Sequence, residues 1–132
     1  MITDYDSRVN NGDFEEFKQV ARKALKHIKE NFMEYAQPPR VRGYTYTFSP
    51  YSFRDAFDKL ISPNGFEIDA RTLRHAHGIG NNKEWDVVDK NMNKVGEFSA
   101  NNNMYQGVYI NVSVNGELLD RFEICSGGFI RD

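Results

Sequence analysis

The sequence predicts an α+β fold: an antiparallel β-sheet of four to six strands with two helices packed on one face. Three observations predict it. The stretch Gly107–Cys125 reads as a β-hairpin, with two alternating apolar runs joined by Asn115-Gly116. Two other segments repeat apolar residues at three- and four-residue spacing and end at proline-rich stops. Several short runs then follow one another through tight turns, which favours antiparallel pairing of sequential strands.

The hairpin is the strongest of these signals. Val108, Ile110, Val112 and Val114 share one face, with Tyr109, Asn111 and Ser113 on the other. Leu118, Phe122 and Ile124 share a face in the second run, interrupted by Asp120. Asn-Gly supplies the two positive-φ positions of a type I′ turn, whose twist matches that of the flanking strands.

In chain order, residues 1–12 are polar and read as a flexible N-terminal lead-in, leaving 13–132 as a single α+β domain. Asp13 has the character of an N-cap, with Glu16 completing a capping box. Phe14, Phe17, Ala21, Ala24, Leu25, Ile28, Phe32 and Tyr35 then mark an amphipathic helix of about 22 residues, about 33 Å long. Gln37-Pro38-Pro39 stops it, because proline lacks an N–H and restricts the residue before it.

Residues 40–48 alternate, with Tyr44, Tyr46 and Phe48 opposite Thr45 and Thr47, and predict a strand. Ser52 and Asp55 form a second capping-box candidate before the stripe Phe53, Ala56, Phe57, Leu60 and Ile61. Ser62-Pro63-Asn64-Gly65 ends that helix. Phe66–Ile68 reads as a short strand, and Asp69 as the cap of a helical turn over Ala70–His77. Glu84–Asp89 and Lys94–Ala100 read as strands around Lys90-Asn91-Met92-Asn93, and Asn101–Asn103 as a polar connection into the hairpin. The tail from Ser126 is too short for a further element, though Phe129 and Ile130 are available to dock.

Composition narrows the class. A chain of 132 residues can bury a core without disulfides or metal. Net charge is -2, so no global excess points to nucleic acid or to a mimic of it. The lone cysteine, Cys125, cannot form an internal disulfide, and reads as a small strand residue. No apolar run reaches membrane-span length, and the first residues lack a basic and then apolar region. These features predict a soluble, cytoplasmic protein with no membrane partner. Asparagine clusters at 10–11, 81–82 and 101–103, with many Lys, Ile, Tyr and Phe, suggest an AT-rich coding sequence, as in many phages.

The densest polar cluster is Asp69–Gly78, with Arg71, Arg74, His75 and His77 within seven residues. Histidine moves protons near neutral pH and arginine holds phosphate, the pairing a ribonuclease needs. On a helical turn Arg71, Arg74 and His75 would share a side. The bland reading is a solvated turn. His75-x-His77 lacks the further ligands of a zinc site, and no HExxH or cysteine pair occurs. Asp89–Asn93 fails as a calcium loop, because Lys94 replaces the required glycine and Ala100 the closing glutamate. His77-Gly78-Ile79-Gly80 lacks the third glycine of a dinucleotide fingerprint. No metal or cofactor is expected.

The first helix carries Lys18, Arg22, Lys26 and Lys29 beside its apolar stripe, a candidate contact for phosphates or an acidic protein surface. Glu15, Glu16, Glu30 and Glu34 partly balance it.

Together these features predict a non-enzymatic protein-binding module, with a small phage-type inhibitor of a host or defence complex as its setting. Its binding residues would come from Arg71, Arg74, His75, His77, Lys18, Arg22, Lys26 and Lys29. A second reading is a metal-independent ribonuclease-like enzyme using His75 or His77 with a carboxylate such as Glu123. Helices followed by an antiparallel sheet resemble the barnase-type nuclease layout, a likeness of fold only. A third is a nucleic-acid-binding protein using the basic stripe, extended by Arg40 and Arg42.

Overall fold

The computed structural model describes residues 2–38, 45–75 and 83–132, with side chains from residue 13 onward. Helix α1 (Ile2–Asn31) leads into a single 3-10 turn at Phe32–Tyr35. Two short strands, β1 (Ala36–Gln37) and β2 (Thr47–Phe48), pair antiparallel before helix α2 (Pro50–Ile61). The main sheet follows as β3 (Glu67–His75), β4 (Lys83–Val88), β5 (Lys94–Asn102), β6 (Val108–Val114), β7 (Glu117–Cys125) and β8 (Phe129–Arg131). All six pair antiparallel in sequence order, so the sheet is a meander. The α+β expectation is therefore met: both helices lie on one face of an antiparallel sheet.

The helix stripes and the sheet's inner face close one core. Phe17, Ala21, Ala24, Leu25 and Ile28 of α1 are buried, as are Phe53, Ala56, Phe57 and Ile61 of α2. They meet Trp85, Val87, Phe98, Ile110, Val112, Phe122 and Ile124 from the sheet. Phe57 stacks on Phe98 with centroids 4.8 Å apart, and Phe17 packs against Phe66 at 5.2 Å. At Gly96 a Cβ would stand 2.2 Å from the Ser113 carbonyl oxygen and 2.9 Å from the Phe17 ring. A glycine is required there because α1 and the neighbouring strand both come too close for a side chain.

The Asn115-Gly116 turn has φ of 52° and 80°, as a type I′ hairpin needs. Elsewhere local details differ from expectation. The helix starts at Ile2, so residues 2–12, expected as a lead-in, extend it, and Asp13 lies inside α1 instead of capping it. Ser49, not Ser52, caps α2: its Oγ accepts from Tyr51 N at 3.2 Å, and Pro50 occupies the first turn, where no N–H is needed. The predicted helical turn over Ala70–His77 is part of β3 through His75, and His77 lies outside the described residues. Of the described part of the predicted 40–48 strand, Thr47–Phe48 pairs with β1; Arg40, Arg42 and Tyr44 lie outside the described residues. The tail does form an element, β8, folded back onto β7 through Gly128 at φ 89°.

Leu118 was expected on the inner face with Phe122. A bulge in β7 sets Ser113 opposite Leu118 but Val112 opposite Asp120. The extra residue reverses the alternation, so Leu118 is turned outward and Leu119 inward.

Candidate functional site

Of the predicted polar cluster, Arg71, Arg74 and His75 lie among the described residues, and these three do not converge. Between Asp69 and Arg74, β3 bulges away from β4. Thr72 plugs the gap: its Oγ1 accepts from Asp86 N at 2.8 Å and donates to Asp69 O at 2.6 Å. Arg71 bends back onto Asp69, with Nε and Nη2 donating to the two carboxylate oxygens at 2.9 and 3.0 Å. That hydrogen bond holds the Asp69 carboxyl below the usual carboxylate range. Arg74 lies on the outer sheet face, 2.8 Å from Asp86 and 3.5 Å from Glu84. His75, the next residue along the strand and opposite Lys83, is on the helix-bearing face. Both arginines are thus occupied by carboxylates, and His75 lies on the other side of the sheet from Arg74.

Glu123, the carboxylate considered for acid–base work, is on the outer face of β7, four strands from β3 and about 19 Å away at the usual strand spacing. His75 and Glu123 therefore share neither a face nor a cleft, and the geometry a ribonuclease needs is not formed between them. The sheet's outer face also holds Glu84 and Glu97 as neighbours, flanked by Arg74 and Lys94. Burial, and then the Glu97 neighbour, pushes the Glu84 carboxyl up. Among the described residues no group of three histidines, cysteines or carboxylates is arranged to hold a metal ion. No helix among them is long and apolar enough to cross a membrane.

The basic stripe of α1 is partly neutralised. Lys18 pairs with Glu15 at 3.1 Å. Lys29 turns toward the sheet, 3.0 Å from Asp120 and 3.6 Å from Asp132, with its ammonium 4.7 Å from the Phe122 ring centre. Arg22 and Lys26 remain on the exposed side.

The feature that stands out was not among the predicted sites. Of the ten exposed large hydrophobics among the described residues, six lie at one end of the molecule: Met33, Tyr46, Met104, Tyr105, Tyr109 and Phe129. This end gathers the C-terminus of α1, the β2 strand, the turn 103–107 between β5 and β6, and the turn into β8. Phe48 N donates to Gln106 O at 3.3 Å, and Asn102 Nδ2 to Phe48 O at 3.0 Å, which ties β2 to the turn. Met104 and Tyr105 are 84% and 73% exposed, the most of any large hydrophobic described.

These two side chains ride on a firmly held backbone. Asn103 Oδ1 accepts from Tyr105 N at 2.9 Å and from Gly107 N at 2.7 Å. Asn103 N donates to Gly107 O at 3.0 Å, and Gln106 N to Asn103 O at 3.2 Å. Gly107 admits no side chain, because a Cβ would stand 2.4 Å from Ile124 O and 2.6 Å from Asn103 Nδ2. Beneath the turn lies Glu123, 8% exposed, which accepts from Asn103 Nδ2 at 3.1 Å and from Cys125 Sγ at 3.3 Å. The Tyr109 hydroxyl chiefly, with Cys125 and Asn103, holds its carboxyl below the usual range against the effect of burial. Burial, then the Glu123 carboxylate, pushes the Cys125 thiol up, so this cysteine is a hydrogen-bond donor and not a ready nucleophile.

The sequence carried a signal for this surface. Met104-Tyr105 interrupts a run of asparagine, glutamine and glycine, where turn residues should be polar. No family model, curated protein or solved structure matches the chain.

Proposed function

We propose that this protein is a non-enzymatic binding module that docks a folded protein through the end bearing Met104, Tyr105, Tyr109 and Phe129. The observation that carries the reading is a rigid turn that presents two large apolar side chains to water. An exposed apolar tip contributes nothing to the fold and is explained by burial in a complex. At about 200 Å² per full side chain, the six exposed residues offer about 700 Å², near the ~800 Å² that one side of a standard interface contributes. Methionine and tyrosine are enriched in interface cores, and a rigid backbone lowers the ordering cost of association. A projecting tip fits a concave apolar pocket on its partner. Covering a working surface of a host or defence complex is the inhibitory form of this activity, read out as loss of that complex's activity at stoichiometric amounts.

The test is capture from the native host's lysate, with nuclease and moderate salt present. One stoichiometric protein should be retained by the wild type and by Leu118→Ser, which alters an exposed leucine at the opposite end. The double variant Met104→Ser/Tyr105→Ser should lose at least about 2 kcal/mol of binding, roughly thirtyfold. Equal capture by both variants, or recovery of nucleic acid that is lost with salt, contradicts the proposal.

A further inference from the structure

Asn103 and Glu123 occupy the centre of the docking end without belonging to its exposed surface. The Asn103 carboxamide fixes the 103–107 backbone from within, through Tyr105 N and Gly107 N. Among the described residues that carboxamide has one partner outside the turn, Glu123 Oε2 at 3.1 Å. Glu123 is faced from every neighbouring element: Tyr109 opposite on β6, Cys125 on its own strand, and Arg131 of β8 with Nη1 at 3.7 Å. A carboxylate surrounded by donors is held in one orientation, and it transmits that orientation to the carboxamide it receives.

We infer that Asn103 and Glu123 are the positioning pair of the docking site: the carboxylate of β7 orients the carboxamide, and the carboxamide sets the backbone on which Met104 and Tyr105 are presented. The inference rests on docking through this end. It assigns a role in recognition to two residues that themselves touch no partner.

The experiment exchanges the two functional groups across the same contact. Asn103→Asp keeps an acceptor for the Tyr105 and Gly107 amides but sets a second carboxylate against Glu123. Asn103→Asp with Glu123→Gln restores an amide-to-carboxylate hydrogen bond with donor and acceptor reversed. The first readout is amide hydrogen exchange at Tyr105 and Gly107 in the free protein. The control is exchange at Asn91 and Asn93, whose amides donate to Asp89 at the far end of the sheet. The second readout is the affinity for the protein captured by the wild type.

Asn103→Asp should speed exchange at Tyr105 and Gly107 at least tenfold while the Asn91 and Asn93 amides stay as they were. The exchanged pair should return both turn amides to within threefold of wild type, and affinity should follow the same order. Unchanged exchange in Asn103→Asp, or no recovery in the exchanged pair, overturns the positioning role, whatever the partner data show. Exchange that behaves as expected while affinity stays constant shows instead that the turn does not dock, and the interface reading falls. Faster exchange at Asn91 and Asn93 as well would mean global loosening and would count against a local pair.

Discussion

Replacing Asp13 by asparagine should stabilise the protein. Asp13 lies inside α1, against Asp89 of the β4–β5 turn. Burial first, and then the hydrogen bond and charge of Asp89, pushes the Asp13 carboxyl above its ordinary value. Asp89 moves the other way: burial opposes ionisation, but the amides of Asn93 and Asn91, each 2.9 Å from Oδ1, hold its carboxyl low. As pH falls, Asp13 therefore takes up its proton before Asp89, and with both protons gone the pair is two facing carboxylates. A carboxyl raised in the folded state contributes stability that is full below its unfolded pKa and is lost as pH rises through the folded value. A lowered one contributes stability that is full above its unfolded pKa and is lost as pH falls through its folded value. The two windows lie on opposite sides of the ordinary aspartate value of 3.8, so the pair alone is most stabilising near that pH.

Asparagine at 13 removes the repulsion and supplies a permanent donor to Asp89. The expected gain at neutral pH is about 1 kcal/mol, the net worth of one hydrogen bond, kept to the middle of that range because Asp13 is partly exposed to screening solvent. For a chain of this length that is about 3–4 °C in melting temperature. Helix propensity hardly distinguishes Asp from Asn, so it does not confound the result. Thermal unfolding from pH 3 to pH 8 measures it: the variant should melt higher at neutral pH, and the difference should vanish as Asp13 takes up its proton. If Asp13 were the N-cap its sequence suggests, asparagine would serve equally well and the substitution would be neutral. A neutral or destabilising outcome at pH 7 would therefore refute the buried pair.

Two further expectations concern the core. Gly96→Ala should cost about 3 kcal/mol, the upper part of the range for overpacking, because its Cβ meets both the Ser113 carbonyl and the Phe17 ring; a denaturant midpoint equal to wild type would contradict it. Phe57→Ala removes a fully buried ring stacked on Phe98 and should cost about 4 kcal/mol, lowering the melting temperature by roughly 14 °C. A loss under about 1 kcal/mol there would mean that α2 is not seated on β5 as described.

The fold was readable where local and tertiary preferences agree. Val108, Ile110, Val112 and Val114 alternate without interruption, their turn is Asn-Gly, and all four are buried. The stripe of α2 was legible for the same reason, since Phe53, Phe57 and Ile61 repeat at one face and Pro63 and Gly65 follow. Legibility failed where one extra residue changes the phase. Leu118 and Leu119 are indistinguishable by period, and only the bulge turns one outward and the other inward. The 69–75 stretch misled because its spacing of charges fits a helix, whereas pairing with β4 makes it a strand and separates Arg74 from His75. For the candidate site, attention to charged residues favoured Arg71, Arg74, Lys18 and Lys29, each of which is paired with a neighbouring carboxylate. Met104 and Tyr105 belong to no charged cluster, and the Asn103 hydrogen bonds that fix the backbone carrying them are revealed by no sequence spacing.

The docking end is tested most directly by a photoreactive benzoylphenylalanine placed at position 105, with matched proteins carrying it at 92 and at 118. Residues 92 and 118 are exposed hydrophobics at the other end of the sheet, so they control for stickiness. After irradiation in cells of the native host, position 105 should give one protein adduct of defined mass, with little at the other two. Adducts of equal yield at all three positions, a preference for 92 or 118, or adducts made of nucleic acid would contradict docking of a protein through this end.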